Sequence, residues 1–194
     1  MKETQLILAS SSPFRRELLN KLQLSYECIS PDIDETPLNN ESPRELSLRL
    51  AIEKAKAVAS NLSHGLVIGS DQVAEVDGQP LGKPKTRENA IKQLMSMSGK
   101  TVTFHTGMCL YNAETEKFQS CIEPFYVSFR DLTEAQAASY VDKEDVLNCA
   151  GSFKSEALGI ALFNKLEGED PNSLIGLPLI KLVRMLEAEG MNVL

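Results

Sequence analysis

Leu66-Val67-Ile68-Gly69-Ser70-Asp71-Gln72 runs from three apolar residues through glycine to a carboxylate and an amide. A short apolar run of this kind predicts an interior strand over 66–70, ending on Asp71. In open α/β sheets ligands gather beyond the carboxyl ends of strands, so Asp71 is a candidate to take a proton from water or to hold a metal ion. A strand-end acid that merely meets solvent or caps a turn fits the same letters.

Working outward, Ser42-Pro43-Arg44-Glu45 has the residues of a capping box with proline at the first helical position. Leu48, Ala51, Ile52, Ala55, Val58 and Ala59 then keep helical spacing. On the other side, Asp77-Gly78 between Val73–Val76 and Gln79–Leu81 predicts a hairpin turn, and Thr86 a helix cap. Gln5–Ala9 reads as a strand, Ser10–Pro13 as a turn, and Phe14, Leu18 and Leu22 as one helix face. Tyr26–Ile29 reads as a short strand and the polar stretch 30–41 as a loop. Residues 101–111 and 118–129 read as a strand pair in which Pro124 marks a break or an edge. Thr133–Gln136 predicts a further cap, and Leu179, Leu182, Val183 and Leu186 a closing helix. Strands alternate with helices early and become hairpin-like later, so the expected class is α/β, a mixed sheet with helices outside it.

The 194 residues suit one domain, 1–194, or two small lobes sharing a core. With 42% hydrophobic and 24% charged residues, and no apolar run near ~20 residues, composition predicts an ordinary soluble globular protein without a membrane anchor, and the stretch 1–9, with an early acid and a short apolar run, reads as the first strand of a cytoplasmic one. A net charge of −7 argues against a nucleic-acid polymer as partner, because such binding draws on a basic face. Cys28, Cys109, Cys121 and Cys149 lack metal or disulfide spacing and read as reduced, buried thiols. His64 and His105 read as structural.

Four further features carry chemistry. Ser10-Ser11-Ser12-Pro13-Phe14-Arg15-Arg16 places hydroxyls and guanidiniums at a strand-to-helix turn, where free N–H donors suit phosphate; a serine cap with solvated arginines fits equally. Asp32-Ile33-Asp34-Glu35-Thr36 offers oxygen ligands for a hard cation, or is simply a soluble loop. Lys54 and Lys83 are candidates to neutralise a polyphosphate, against the ordinary role of a solvated lysine. Neither a Walker loop nor G-x-G-x-x-G occurs.

Ser-Ser-Pro-Phe-Arg-Arg at 11–16, Asp-Glu-Thr at 34–36, Gly-Ser-Asp-Gln at 69–72, Gly-Lys-Pro at 82–84, Gly-Ser-Phe-Lys-Ser-Glu at 151–156 and the run Asp170–Pro178 together resemble the Maf family of nucleotide pyrophosphatases, in register along essentially the whole chain. The resemblance is closest to the YceF branch, which hydrolyses 7-methyl-GTP to 7-methyl-GMP and pyrophosphate. It implies an elongated, twisted mixed sheet flanked by helices in two lobes with a central cleft, a divalent cation (Mg²⁺ or Mn²⁺), a modified nucleoside triphosphate as substrate, and a homodimer. By the same resemblance Asp71 is the proton acceptor, and Glu35, Lys54 and Lys83 serve metal and phosphates, with Glu35 and Asp71 as metal ligands. Ser10, Arg15 and Arg16 belong to the phosphate-binding turn, and Phe14, Gln72 and Glu156 set base choice. A branch acting on dTTP or UTP typically carries Arg, Thr and Gln at those last three positions; the methyl-GTP branch more often has Trp in place of Phe14. A noncatalytic, nucleotide-binding regulator of division is the alternative from another class.

Overall fold

In the computed structural model, which describes residues 4–194, local signals decide where most elements begin. β1 (Leu6–Ala9) leads into α1 (Pro13–Asn20), whose N-cap Ser12 accepts from the Arg15 amide and whose first residue is proline. After β2 (Glu27–Cys28), α2 (Pro43–Ala59) starts on a complete capping box: Ser42 Oγ accepts the Glu45 amide and the Glu45 carboxylate accepts that of Ser42. β3 (Leu66–Val76) and β4 (Gln79–Leu81) join through Asp77 and Gly78, both at positive φ (51° and 76°), as a two-residue turn that follows the strand twist requires. Thr86 caps α3 (Arg87–Met97). β5 (Thr101–Asn112) and β6 (Lys117–Phe129) follow, and Thr133 with Gln136 builds a second capping box at α4 (Glu134–Val141). β7 (Phe163–Glu167), α5 (Pro171–Ile175) and α6 (Leu179–Ala188) complete the chain.

The strands form one open mixed sheet in the order β2-β1-β3-β5-β6-β7, with β4 paired to β3. β1 is parallel to β2 and to β3, whereas β4 is antiparallel to β3 and β7 to β6. The chain divides into two compact units, one of Met1–Gln72, Thr106–Glu123 and Asp170–Leu194, the other of Val73–His105 and Pro124–Glu169.

In the first unit the period of two along each strand sorts side chains onto two faces. Leu6, Leu8, Leu66, Ile68, Met108 and Leu110 pack with Leu18 and Leu19 of α1 and with Leu179, Leu182 and Leu186 of α6. Ile7, Ala9, Val67 and Cys109 pack on the opposite face with Ala55, Val58 and Ala59 of α2. In the second unit Phe104, Phe129, Phe153 and Phe163 meet edge-on, with centroids 4.9–5.5 Å apart.

Two sequence expectations change, and one open alternative is decided. β3 does not end at Ser70: it runs on to Val76, so Asp71 lies inside the strand. By the same alternation Asp71 shares the α2 face with Val67 and Gly69, and Gln72 shares the α1/α6 face with Leu66 and Ile68. Of the break or edge read at Pro124 the edge holds: β6 runs through it, and β7 joins that strand only from Tyr126 onward, leaving the earlier residues an edge on that side. Cys28 is exposed rather than buried, because it falls in a two-residue strand at the sheet margin.

The thiols therefore differ in reactivity. Burial pushes Cys109 up to about 12 and Cys121 up to about 11, which removes the thiolate that alkylation needs. At pH 8 iodoacetamide is expected to label Cys28 first in the native protein, half-buried Cys121 more slowly, and Cys109 only after unfolding. Peptide mass mapping checks this, and early labelling of Cys109 would contradict its burial.

Candidate active site

Two glycines set the approach of α2. A Cβ on Gly69 would stand 2.1 Å from Ala51 O and 2.8 Å from Ala55 N, and one on Gly107 would stand 2.3 Å from Ser47 O. Only bare backbone at these points lets the helix lie against β3 and β5. Lys54 follows Glu53 on this helix and reaches the strand beside Asp71, with Nζ 2.6 Å from Asp71 Oδ1 and 2.7 Å from Glu35 Oε1. Lys54 and Asp71 are buried, while Glu35 is exposed. One ammonium thus separates two carboxylates whose charges would otherwise repel, and a buried lysine needs such partners.

Glu35 reaches Lys54 because its loop is tied down twice. Asp34 Oδ1 accepts the Thr36 amide at 2.9 Å, and hydrogen bonding from the Thr36 side chain, then from this amide, holds the Asp34 carboxyl below its ordinary range. Arg49 of α2 donates to Thr36 O at 3.1 Å and forks onto Glu41 at 2.6 and 2.9 Å. That fork lowers Glu41 and raises Arg49. Sequence reading missed Arg49. Its helical position facing an acidic loop was the only signal, and an arginine on an exposed face is too common to single out.

Two hydroxyl oxygens of the serine turn accept from the turn's own backbone. Ser10 Oγ, in a buried residue, accepts the Ser12 amide at 3.1 Å, and Ser12 Oγ accepts that of Arg15 at 3.4 Å. Arg15 and Arg16 diverge, since consecutive helical residues point about 100° apart. Arg15 is half-buried and donates Nε to Gly176 O at 2.8 Å. Burial lowers its pKa, while Asp71 and Glu35 act in the opposite direction, placing the guanidinium within electrostatic reach of both carboxylates. Arg16 is exposed and lines an open groove of about 570 Å³ with Asn20, Leu24, Ser25, Tyr26 and Cys28. Phe14 is half-buried at the start of the helix.

On the other face of β3, the Gln72 amide is clamped. Its Nε2 stands 2.9 Å from Thr106 Oγ1, 2.8 Å from Ser173 O and 3.0 Å from Leu174 O. Thr106 Oγ1 itself donates to Ser173 O at 2.8 Å, so it accepts from Gln72. All three neighbours are acceptors, which fixes the NH₂ inward and leaves Oε1 as the end of the amide to offer a ligand. The carbonyls are presented by α5, which buried Asp170 organises: Oδ1 accepts Asn172 N at 2.8 Å and Oδ2 accepts Ile180 N at 2.8 Å. Gly176 O, just beyond α5, also lies 2.9 Å from Ser70 Oγ. Asp170-Pro171, an N-cap residue followed by proline, was the sequence signal that could have located this element.

The second unit carries Lys83 and Glu156, both exposed. Lys83 sits in the turn after β4, where Asn89 and Gln93 of α3 donate to Pro84 O and Gly82 O. Glu156 follows Gly151-Ser152-Phe153, a segment pinned by the Phe153 ring among Phe104, Phe129 and Phe163 and by the Tyr140 hydroxyl, which accepts the Lys154 amide at 3.1 Å. His105 pairs with Glu75 at 2.9 Å and His64 with Ser63 at 3.0 Å.

Among the described residues no group of three or more His, Cys, Asp or Glu gathers as a metal cage. Glu35 and Asp71, both within reach of one Lys54 ammonium, offer hard oxygen donors. That pair fits a divalent cation shared with substrate phosphates, the way Mg²⁺ is commonly held. No helix among the described residues is long and apolar enough to cross a membrane.

A family model described as Maf-like protein matches residues 5–189. A protein of Vibrio vulnificus (strain CMCP6) named 7-methyl-GTP pyrophosphatase is 56% identical over 194 residues, covering 100% of both chains. Solved structures include the Staphylococcus aureus Ham1 protein, with a TM-score of 0.49 and 19% identity over 66% of this chain and 73% of that one. A HAM1 protein from Coxiella burnetii has a TM-score of 0.47 and 16% identity over 73% of this chain and 98% of the other.

Proposed function

The chain belongs to the Maf family, and from that membership we propose that it hydrolyses 7-methyl-GTP to 7-methyl-GMP and pyrophosphate. The observation that carries this reading is the end-to-end 56% identity to a relative named for that activity. The Glu35–Lys54–Asp71 arrangement supplies a place for the chemistry.

Glu35 and Asp71 would hold the divalent cation, which when bound supplies charge neutralisation and polarises phosphate oxygens. Asp71 accepts the proton of the attacking water at a carboxylate oxygen. Lys54 keeps Asp71 and Glu35 side by side, and Arg15 and Lys83 offset phosphate charge. Methylation at N7 gives guanine a delocalised positive charge, so the Phe14 ring attracts the base as well as stacking on it, worth ~0.5–2 kcal/mol. Glu156 accepts from the guanine N1–H and 2-amino group and complements the charge. Gln72, with its NH₂ spent on Thr106, Ser173 and Leu174, contributes an acceptor rather than a donor.

Pyrophosphate release from 7-methyl-GTP, GTP, dTTP, UTP and CTP, each with Mg²⁺, Mn²⁺ or chelator, tests the reading. 7-Methyl-GTP with metal is expected to give the highest kcat/KM and chelator to abolish turnover. Preference for dTTP or UTP would move the chain to the other branch, and no release from any nucleotide would favour a binding protein. Glu156→Gln is expected to lower the ratio of 7-methyl-GTP to GTP efficiency roughly fivefold, since it removes a charged acceptor. An unchanged ratio would remove Glu156 as the reader of base charge.

A further inference from the structure

We propose that Gln93 is a positioning residue that couples the Lys83 turn to the Glu156 loop, so that phosphate binding and base choice in the second unit are set by one side chain. The inference rests on the reading of Lys83 and Glu156 given above.

Gln93 lies half-buried on α3 and uses both ends of its amide. Its Nε2 donates to Gly82 O at 2.9 Å, on the residue before Lys83. Its Oε1 accepts from Ser152 Oγ at 2.5 Å, in the segment that leads to Glu156. The chemistry of the two contacts dictates the residue type. Gly82 offers a carbonyl and requires a donor, whereas the Ser152 hydroxyl has its proton to give and requires an acceptor. A carboxylate at 93 would satisfy Ser152 and repel Gly82 O, and an apolar side chain would satisfy neither.

Each contact falls where the backbone needs a restraint. Ser152 is fully buried and sits at φ +62°, next to Gly151 at +76°. A residue with a Cβ stays in that region only when its surroundings hold it there. The Ser152–Gln93 bond is such a hold, acting together with the Phe153 ring. On the other side, Gly82 would meet nothing within 4 Å if it carried a Cβ, so the turn gains little from packing at that residue. Its fixed points are hydrogen bonds, Gln93 to Gly82 O and Asn89 to Pro84 O at 3.2 Å.

The test is steady-state kinetics of the full-length protein with 7-methyl-GTP and with GTP, on Gln93→Met, Gln93→Glu, Ser152→Ala, Lys83→Ala, Glu156→Gln and the double variants. Far-UV circular dichroism and thermal unfolding confirm folding of each. Gln93→Met is expected to raise KM for both nucleotides and to lower the 7-methyl-GTP to GTP ratio, each roughly fivefold, the worth of one hydrogen bond. Gln93→Glu keeps the Ser152 contact, so it raises KM and spares the ratio. Ser152→Ala does the reverse. These opposed splits do not arise from a general loss of stability, and the latter two variants keep the test in force if Gln93→Met fails to fold.

In the Glu156→Gln background Gln93→Met should no longer move the ratio, and in the Lys83→Ala background it should no longer move KM. Full additivity in both backgrounds, or identical effects of Gln93→Glu and Ser152→Ala, overturns the coupling while leaving Lys83 and Glu156 as binding residues. If Lys83→Ala and Glu156→Gln change no parameter, the parent reading fails, and the inference falls with it for that separate reason.

Discussion

Replacing Asp71 by asparagine is expected to lower kcat about 10³-fold, within the ~10²–10⁴ that a positioned general base contributes. The substitution preserves shape and leaves an oxygen to accept from Lys54, which also keeps Glu35 2.7 Å away. The structural cost therefore stays below the ~3–5 kcal/mol of stripping a buried charge of its partner, and a folded, nearly inactive protein is the expected result. Single-turnover pyrophosphate release, with circular dichroism on the same sample, separates the two effects. Turnover like that of the unaltered protein would remove Asp71 from the chemistry; an unfolded product would show that its first duty is to neutralise Lys54.

Gly69→Ala is expected to act through the backbone instead. The added methyl carbon would lie 2.1 Å from Ala51 O and 2.8 Å from Ala55 N, both main-chain atoms of α2, so no rotamer change relieves it. The helix must lift, at a cost at or above the ~3 kcal/mol upper end of ordinary overpacking. For a chain of this size that corresponds to a Tm lower by roughly 6–12 °C. Because Ala51 and Ala55 flank Lys54 on the same helix, the lift also carries its ammonium away from Asp71, and kcat should fall in the fraction that remains folded. A Tm shift within roughly 2 °C would mean that α2 slides to accommodate the methyl, and that the close approach is not a constraint.

Much of this arrangement is legible without coordinates, for physical reasons that differ by element. α2 announces itself because Ser42, Pro43 and Glu45 act within one turn and its apolar spacing is regular. The β3–β4 hairpin is legible because Asp77-Gly78 suits two consecutive positive φ values. β7 is not, since Phe163–Glu167 is short and almost wholly exposed, and a strand that draws its order from pairing with β6 leaves little trace in its own composition. The burial of Lys54 was likewise hidden. It depends on two glycines in other elements, Gly69 and Gly107, whose role appears only when the helix lies on them.

The reading of Asp71-Gln72 shows the sharper limit. As the end of a strand, the pair looked like neighbours facing one ligand. Because β3 continues to Val76, alternation sends Asp71 to Lys54 and Gln72 to Thr106, Ser173 and Leu174. Family likeness suggested the roles, and the strand geometry shows only that the two side chains stand on opposite sides of one backbone.

That back-to-back placement has a bearing on how such a protein changes over generations. A side chain exchanged at 72 meets Thr106 and the α5 carbonyls and leaves the Asp71–Lys54 contact untouched. If position 72 sets substrate preference and Asp71 serves hydrolysis, as proposed, the first can drift while the second is conserved, because the two side chains leave β3 on opposite sides.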